Sequence, residues 1–223
     1  MHLGEAKTMI ICDVGFAARP LTGIPPCGDG WHLRQERTWT RLMLADGLGH
    51  GRHAHQLVSH LKQQLEWIEK RSTTSLSLEQ CIEELHHTLK KGGQDHQAAT
   101  ALVQIDTRAQ RISSIIIGNI DGYLASKDGE IHIPASHGML GGRLPSSLHA
   151  TSYSIQTPSL LLLCSDGIEA SKASRTLKQT LATLNFQLCR AEEMAQSILE
   201  QYGKSTDDAS CIVVRLLESG GAP

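Results

Sequence analysis

The sequence predicts an α+β fold made of layered antiparallel sheets and helices. Three observations carry that prediction. Strand-like runs follow one another through the middle of the chain, paired amphipathic helices lie before and after them, and strands do not alternate with helices as they do in βαβ units.

In chain order, residues 9–14 and 38–45 are short apolar or β-branched runs and read as strands, separated by a Pro/Gly-rich loop over residues 19–30. After Gly51, the positions Ala54, Leu57, Val58, Leu61, Leu65 and Ile68 recur at three- and four-residue spacing, which is one face of a helix ending near Arg71. Ser77 and Gln80 have capping-box spacing and open a second helix, whose apolar face is Leu78, Cys81, Ile82, Leu85 and Leu89 and which Gly92 and Gly93 stop. Residues 101–105, 111–117, 122–125 and 130–133 then read as a β-meander broken by Asp-Thr, Gly-Asn and Asp-Gly turns. A continuous apolar strand at 159–164 precedes a helix over 168–184. Ala191, Met194, Ala195, Ile198, Leu199 and Tyr202 mark another helix, and 211–217 is the closing strand.

Composition narrows the function. With 223 residues, 40% of them apolar, residues 1–217 are expected to form a single domain, with 218–223 a disordered tail. Lys plus Arg number 21 against 23 for Asp plus Glu, so no basic excess is available to neutralise a nucleic-acid backbone. The longest apolar run, Leu160 to Cys164, falls far short of the roughly 18 residues that a membrane-spanning helix needs. The first eight residues lack a secretory apolar segment, and six scattered cysteines without a CxxC pair fit buried, reduced thiols. A cytoplasmic protein without nucleic-acid or membrane partners is expected.

The chemistry-bearing feature is a set of aspartates at strand ends beside glycine: Asp29 in GDGW, Asp46 in ADGLGHG, Asp166 in CSDGI, and the pair Asp207 and Asp208 before the last strand. Taken singly, each is well explained as a turn or N-cap residue. Together, carboxylates held at neighbouring sheet ends suit Mg²⁺ or Mn²⁺, which take oxygen ligands. A rival reading takes residues 47–51 as a glycine-rich loop for a nucleotide or S-adenosylmethionine, which would require alternating strands and helices around it.

The ordered set GDGW, ADGLGHG, GN (118–119), GMLGG (138–142), CSDGI and DDAS (207–210) resembles the metal-dependent PPM-type serine/threonine phosphatases related to protein phosphatase 2C. Within them it is most similar to the SpoIIE, RsbU and RsbX branch, and in size to RsbX. The resemblance covers roughly residues 9–217 and implies an α-β-β-α sandwich with two Mn²⁺ or Mg²⁺ ions at one end. By the same resemblance Asp46 bridges both ions, the Gly47 carbonyl binds one, Asp29 joins that ion, and Asp166 and Asp207 complete the other, with Asp208 nearby. The implied reaction is hydrolysis of phosphoserine or phosphothreonine by water activated between the cations. The implied substrate is a bacterial regulatory protein, such as a STAS-domain antagonist or stressosome-like component.

Where eukaryotic members carry a histidine after the Asp-Gly, this chain has Leu48, leaving His50 as a candidate general acid against its reading as a helix-start residue. Arg19 is a candidate for the substrate phosphate against its reading as a solvated loop residue. Trp31 is expected to pack, Cys27 to be an ordinary thiol, and His53, His55, His86 and His87 to be surface residues. A non-catalytic phosphoprotein-binding domain is the alternative function.

Overall fold

Side chains of a strand point alternately to its two faces, and in this chain both faces of the long strands are apolar. The computed structural model describes residues 10–21, 25–71, 76–93, 96–183 and 185–219. In chain order its elements are β1 (Ile10–Arg19), β2 (Asp29–Gln35), β3 (Trp39–Gly47), α1 (Gly51–Arg71), α2 (Leu78–Lys90), β4 (Ala98–Asp106), β5 (Arg111–Ile117), β6 (Asp121–Ser126), β7 (Gly129–Ile133), β8 (Thr151–Ser154), β9 (Ser159–Cys164), α3 (Ala170–Leu181), α4 (Asn185–Leu188), α5 (Ala191–Tyr202) and β10 (Ala209–Glu218).

Among the described residues the strands form two five-stranded sheets, β1-β10-β9-β6-β7 and β2-β3-β4-β5-β8, with antiparallel pairing between neighbours. Leu42 and Leu44 of β3, Leu161 and Leu163 of β9, and Ile212 and Val214 of β10 meet in the core between the sheets. Their sequence neighbours turn outward. Met43 and Ala45 pack with the apolar stripes of α1 and α2, while Leu160, Leu162 and Val213 pack with those of α3 and α5. The result is the expected α-β-β-α sandwich, in which each sheet is buried on both faces by different partners.

The expected helix over 51–71 and the Ser77–Gln80 capping box are both present, the latter with Gln80 N–H donating to Ser77 Oγ and Ser77 N–H to Gln80 Oε1. The meander is corrected. The chain leaves β5 for the other sheet through Gly118, Asn119 and the buried Ile120, so β4 and β5 pair in one sheet and β6 and β7 in the other. Gly118 makes this possible with φ +95°, where a side chain would strain the backbone, and a Cβ there would lie 2.6 Å from that of Ala99.

Two strands, β2 and β8, have no counterpart in the sequence reading, and β2 takes Asp29 and Gly30 out of the expected loop. The helix expected over 168–184 starts at Ala170 and ends at Leu181, Ile168 instead bridging to Gly203 and Leu184 lying outside the described residues. Glu218 belongs to β10 rather than to the tail, and residues 220–223 lie outside the described residues. The glycine-rich-loop alternative loses its scaffold, because β3 and β4 on either side of α1 and α2 pair antiparallel. Among the described residues no helix is long and apolar enough to cross a membrane.

Candidate functional site

The inter-sheet core ends in acid. Along β3 the inward positions run Leu42, Leu44, Asp46, and along β2 they run Leu33, Trp31, Asp29, with Asp29 and Asp46 directly opposite each other. On the facing sheet the same alternation reaches Ser210 after Val214 and Ile212, and Ser165 just beyond Leu161 and Leu163. Ser210 Oγ donates across the gap to Asp29 Oδ2 at 2.7 Å and lies 3.3 Å from Ser165 Oγ. One apolar stripe per strand thus turns polar at a single end, where Asp166 and Asp207 also fall, just past β9 and just before β10.

The carboxylates feel one another. Asp46 is pushed up to about 8, first by burial and then by the charges of Asp29, Asp166 and Asp207. Burial likewise raises Asp29 to about 6, against hydrogen bonds from Ser165 and Ser210 that favour its ionised form, with Asp208 adding repulsion. Four acids crowded in this way are a donor set suited to a hard divalent cation, whose charge would offset their repulsion. Among the described residues no three acid, histidine or cysteine side chains converge on one ion-sized point as they stand.

The two consecutive aspartates have different surroundings. Asp208 is buried, and both of its oxygens accept backbone hydrogen bonds, from Leu21 N–H at 2.6 Å and Gly28 N–H at 2.8 Å. It clasps the ends of the segment leading to Asp29. Asp207 accepts only the local bond from Asp208 N–H among the contacts described for it. Gly167 lets the Asp166 turn close on this pair, since a Cβ there would sit 1.9 Å from Asp208 O.

Asp166 is held from two sides: Asn119 Nδ2 donates to its Oδ2 at 2.6 Å, and Lys204 Nζ donates to its carbonyl at 2.5 Å. Sequence reasoning assigned no role to Asn119, Lys204, Ser165 or Ser210. The Gly-Asn pair and the Ser beside Asp166 were the available signals. Arg19 Nη2 donates to Lys204 O at 2.5 Å, which ties it to the same turn. Gly47 ends β3 with its N–H on Gly28 O at 3.3 Å, and His50 is exposed on the short loop between Gly47 and α1.

Other candidates make contacts of their own. Trp31 packs on Phe16 with ring centroids 4.6 Å apart. Cys27 has its thiol pushed up to about 12, chiefly by burial and further by Asp29, Asp208 and Asp46, which leaves it protonated and poorly nucleophilic. His55 points to Cys27 O at 3.0 Å and His53 to the ring of His96 at 5.5 Å, so they do not form one cluster. His86 is buried rather than on the surface, because its Nδ1 accepts the Gly141 N–H.

The sequence model of the family Stage II sporulation protein E (SpoIIE) matches residues 36–217. No curated protein matches the chain. Among solved structures, one from the bacterial stressosome, described as a modular system adapted to control secondary messenger signalling, is 29% identical with TM-score 0.79, covering 92% of this chain and 100% of that one. RsbX in complex with magnesium is 20% identical with TM-score 0.74, covering 95% of this chain and 98% of that one. The catalytic domain of the serine/threonine protein phosphatase PstP with two manganese ions is 14% identical with TM-score 0.64, covering 93% and 99%. The last two likenesses bear on the fold.

Proposed function

The chain belongs to the SpoIIE family of PP2C-type phosphatase domains, and on that premise we propose that it is a divalent-cation-dependent phosphatase of phosphoserine or phosphothreonine in a regulatory protein. The observation that carries the reading is the gathering of Asp29, Asp46, Asp166 and Asp207 at one end of the sandwich, where burial first and then the charges of the other three push Asp46 up to about 8. Asp29, Asp46, the Gly47 carbonyl, Asp166 and Asp207 are the groups that would hold Mn²⁺ or Mg²⁺, and the magnesium and manganese found with RsbX and PstP support that choice. A pair of such cations supplies Lewis acidity, acidifying water and offsetting charge on the phosphoryl group.

The chain's own residues then do the positioning. Ser210 orients Asp29, Asp208 fixes the segment that delivers it, and Lys204 fixes the backbone of Asp166. His50, exposed on the loop after Asp46, is the side chain we assign to protonating the leaving serine or threonine oxygen. Arg19, anchored to Lys204 at the same turn, is the one assigned to the substrate phosphate. As substrate we propose a phosphorylated STAS-type or stressosome-like partner, supported by the 29% identical stressosome chain. A cytoplasmic setting belongs to the same proposal, supported by six free thiols.

The test is phosphate release from a phosphorylated STAS-domain protein. Release is expected with added Mn²⁺ and lost in Asp46→Asn and Asp166→Asn. Undiminished release in EDTA overturns the cation-dependent reading. Tight binding of the phosphoprotein without release would favour a non-catalytic binding domain instead.

A further inference from the structure

Asn119 stands where the chain crosses from one sheet to the other. Its backbone is fixed on both sides: Gly118 N–H donates to Ser136 O at 3.0 Å, and Ile120 is buried in the inter-sheet core. Gly118 packs on Ala99, which is the cross-strand partner of Asp46. Asn119 is thus tied to the sheet that carries Asp46 through Gly118, and to the sheet of Asp166 through β6, whose Asp121 pairs with Cys164 of β9 two residues short of Asn119 and Asp166.

We infer that Asn119 is a positioning residue for the cation site, its amide occupying Asp166 Oδ2 and leaving Oδ1 as the oxygen available to a cation. The chemistry explains the residue type. An amide N–H₂ donates to a carboxylate without adding charge, whereas an aspartate at 119 would bring another negative group beside Asp29, Asp46, Asp166 and Asp207. The amide nitrogen lies 2.6 Å from Asp166 Oδ2. Ser210 donates to Asp29 across the gap between the sheets, so a second acid of the set is also held by a neutral donor. Groups that orient a metal ligand act on affinity for the metal, by roughly 10- to 100-fold when removed.

The inference rests on the cation-dependent reading, and its test separates the two. Mn²⁺ is titrated calorimetrically into the wild-type chain, Asn119→Ala, Asn119→Leu and Asp166→Asn, and each metal-free protein is melted. Asn119 is exposed, so the metal-free melting temperatures of both Asn119 variants are expected to match wild type while their Mn²⁺ dissociation constants rise roughly tenfold or more. Unchanged Mn²⁺ affinity in both overturns the role of Asn119 and leaves the cation site intact. A wild-type chain that takes up no Mn²⁺ overturns both. An Asp166→Asn variant that binds as wild type does removes Asp166 from the site and the inference with it.

Discussion

Asp29 and Asp46 face each other as cross-strand partners of β2 and β3, two carboxylates placed side by side on the inward face of one sheet. Like charges directly opposite in an antiparallel pair destabilise it. When both are ionised the arrangement opposes the fold.

That opposition gives the first prediction. In the unfolded chain both acids titrate near pH 4, whereas in the fold Asp29 is raised to about 6 and Asp46 to about 8. The folded state therefore holds more protons between those limits, and stability is full below the unfolded value and lost as pH rises through the folded ones. Metal-free protein is expected to melt progressively lower from about pH 4 to about pH 8, and Mn²⁺ to flatten the slope. Asp46→Asn is expected to melt higher than wild type at pH 8 in EDTA while losing phosphate release. Thermal melts across pH with and without Mn²⁺ decide it, and a flat metal-free profile counts against it.

Asp207 and Asp208 are expected to behave differently despite being adjacent. Asp208→Asn keeps one acceptor where two backbone N–H groups need one each, so roughly 1–3 kcal/mol of stability should be lost in urea unfolding. Asp207→Asn should leave urea stability within about 0.5 kcal/mol of wild type and weaken Mn²⁺ binding in calorimetry. The reverse pattern would exchange their roles.

Away from the acid end, Glu69 of α1 is buried against sheet residues, with His32 Nε2 at 3.0 Å from one oxygen and Arg41 Nη1 at 3.6 Å from the other. Arg41 is itself buried and also donates to Gln104 Oε1 and Leu76 O. Glu69→Ala leaves Arg41 without its anion, an effect of about 3–5 kcal/mol for a buried pair broken from one side. Denaturant unfolding should register that loss while Mn²⁺ affinity of the folded fraction is retained.

Cys27 lies among the acids and is expected to be a bystander. With its thiol pushed up to about 12, a thiolate is negligible near neutral pH, and Cys27→Ser should retain phosphate release to within about twofold. Loss of turnover in Cys27→Ser without loss of folding would contradict the bystander role.

Much of the fold was legible because it is periodic. The three- and four-residue spacing of Leu57, Leu61 and Leu65, and the Ser77–Gln80 box, are local patterns that tertiary packing left unchanged. β2 is not legible although Trp31 and Leu33 alternate with polar neighbours, because the run is short and only its first two residues, Asp29 and Gly30, fall in the expected Pro/Gly-rich loop. His32 is polar there for a reason that lies on another element, the Glu69 carboxylate. The division of the expected meander between two sheets is not legible, because four successive strands look the same whether they stay in one sheet or divide between two.

By itself the sequence determined which acids stand beside glycine at strand ends, and hence the kind of cation that suits them, because chain geometry and donor chemistry are properties of a few neighbouring residues. Only the tertiary structure decided what each acid meets. Ser210 reaches Asp29 across 181 positions of chain and Gly28 reaches Asp208 across 180. A hydrogen bond forms wherever two sheets bring donor and acceptor together, and that placement is set by the whole packed core rather than by any segment of it.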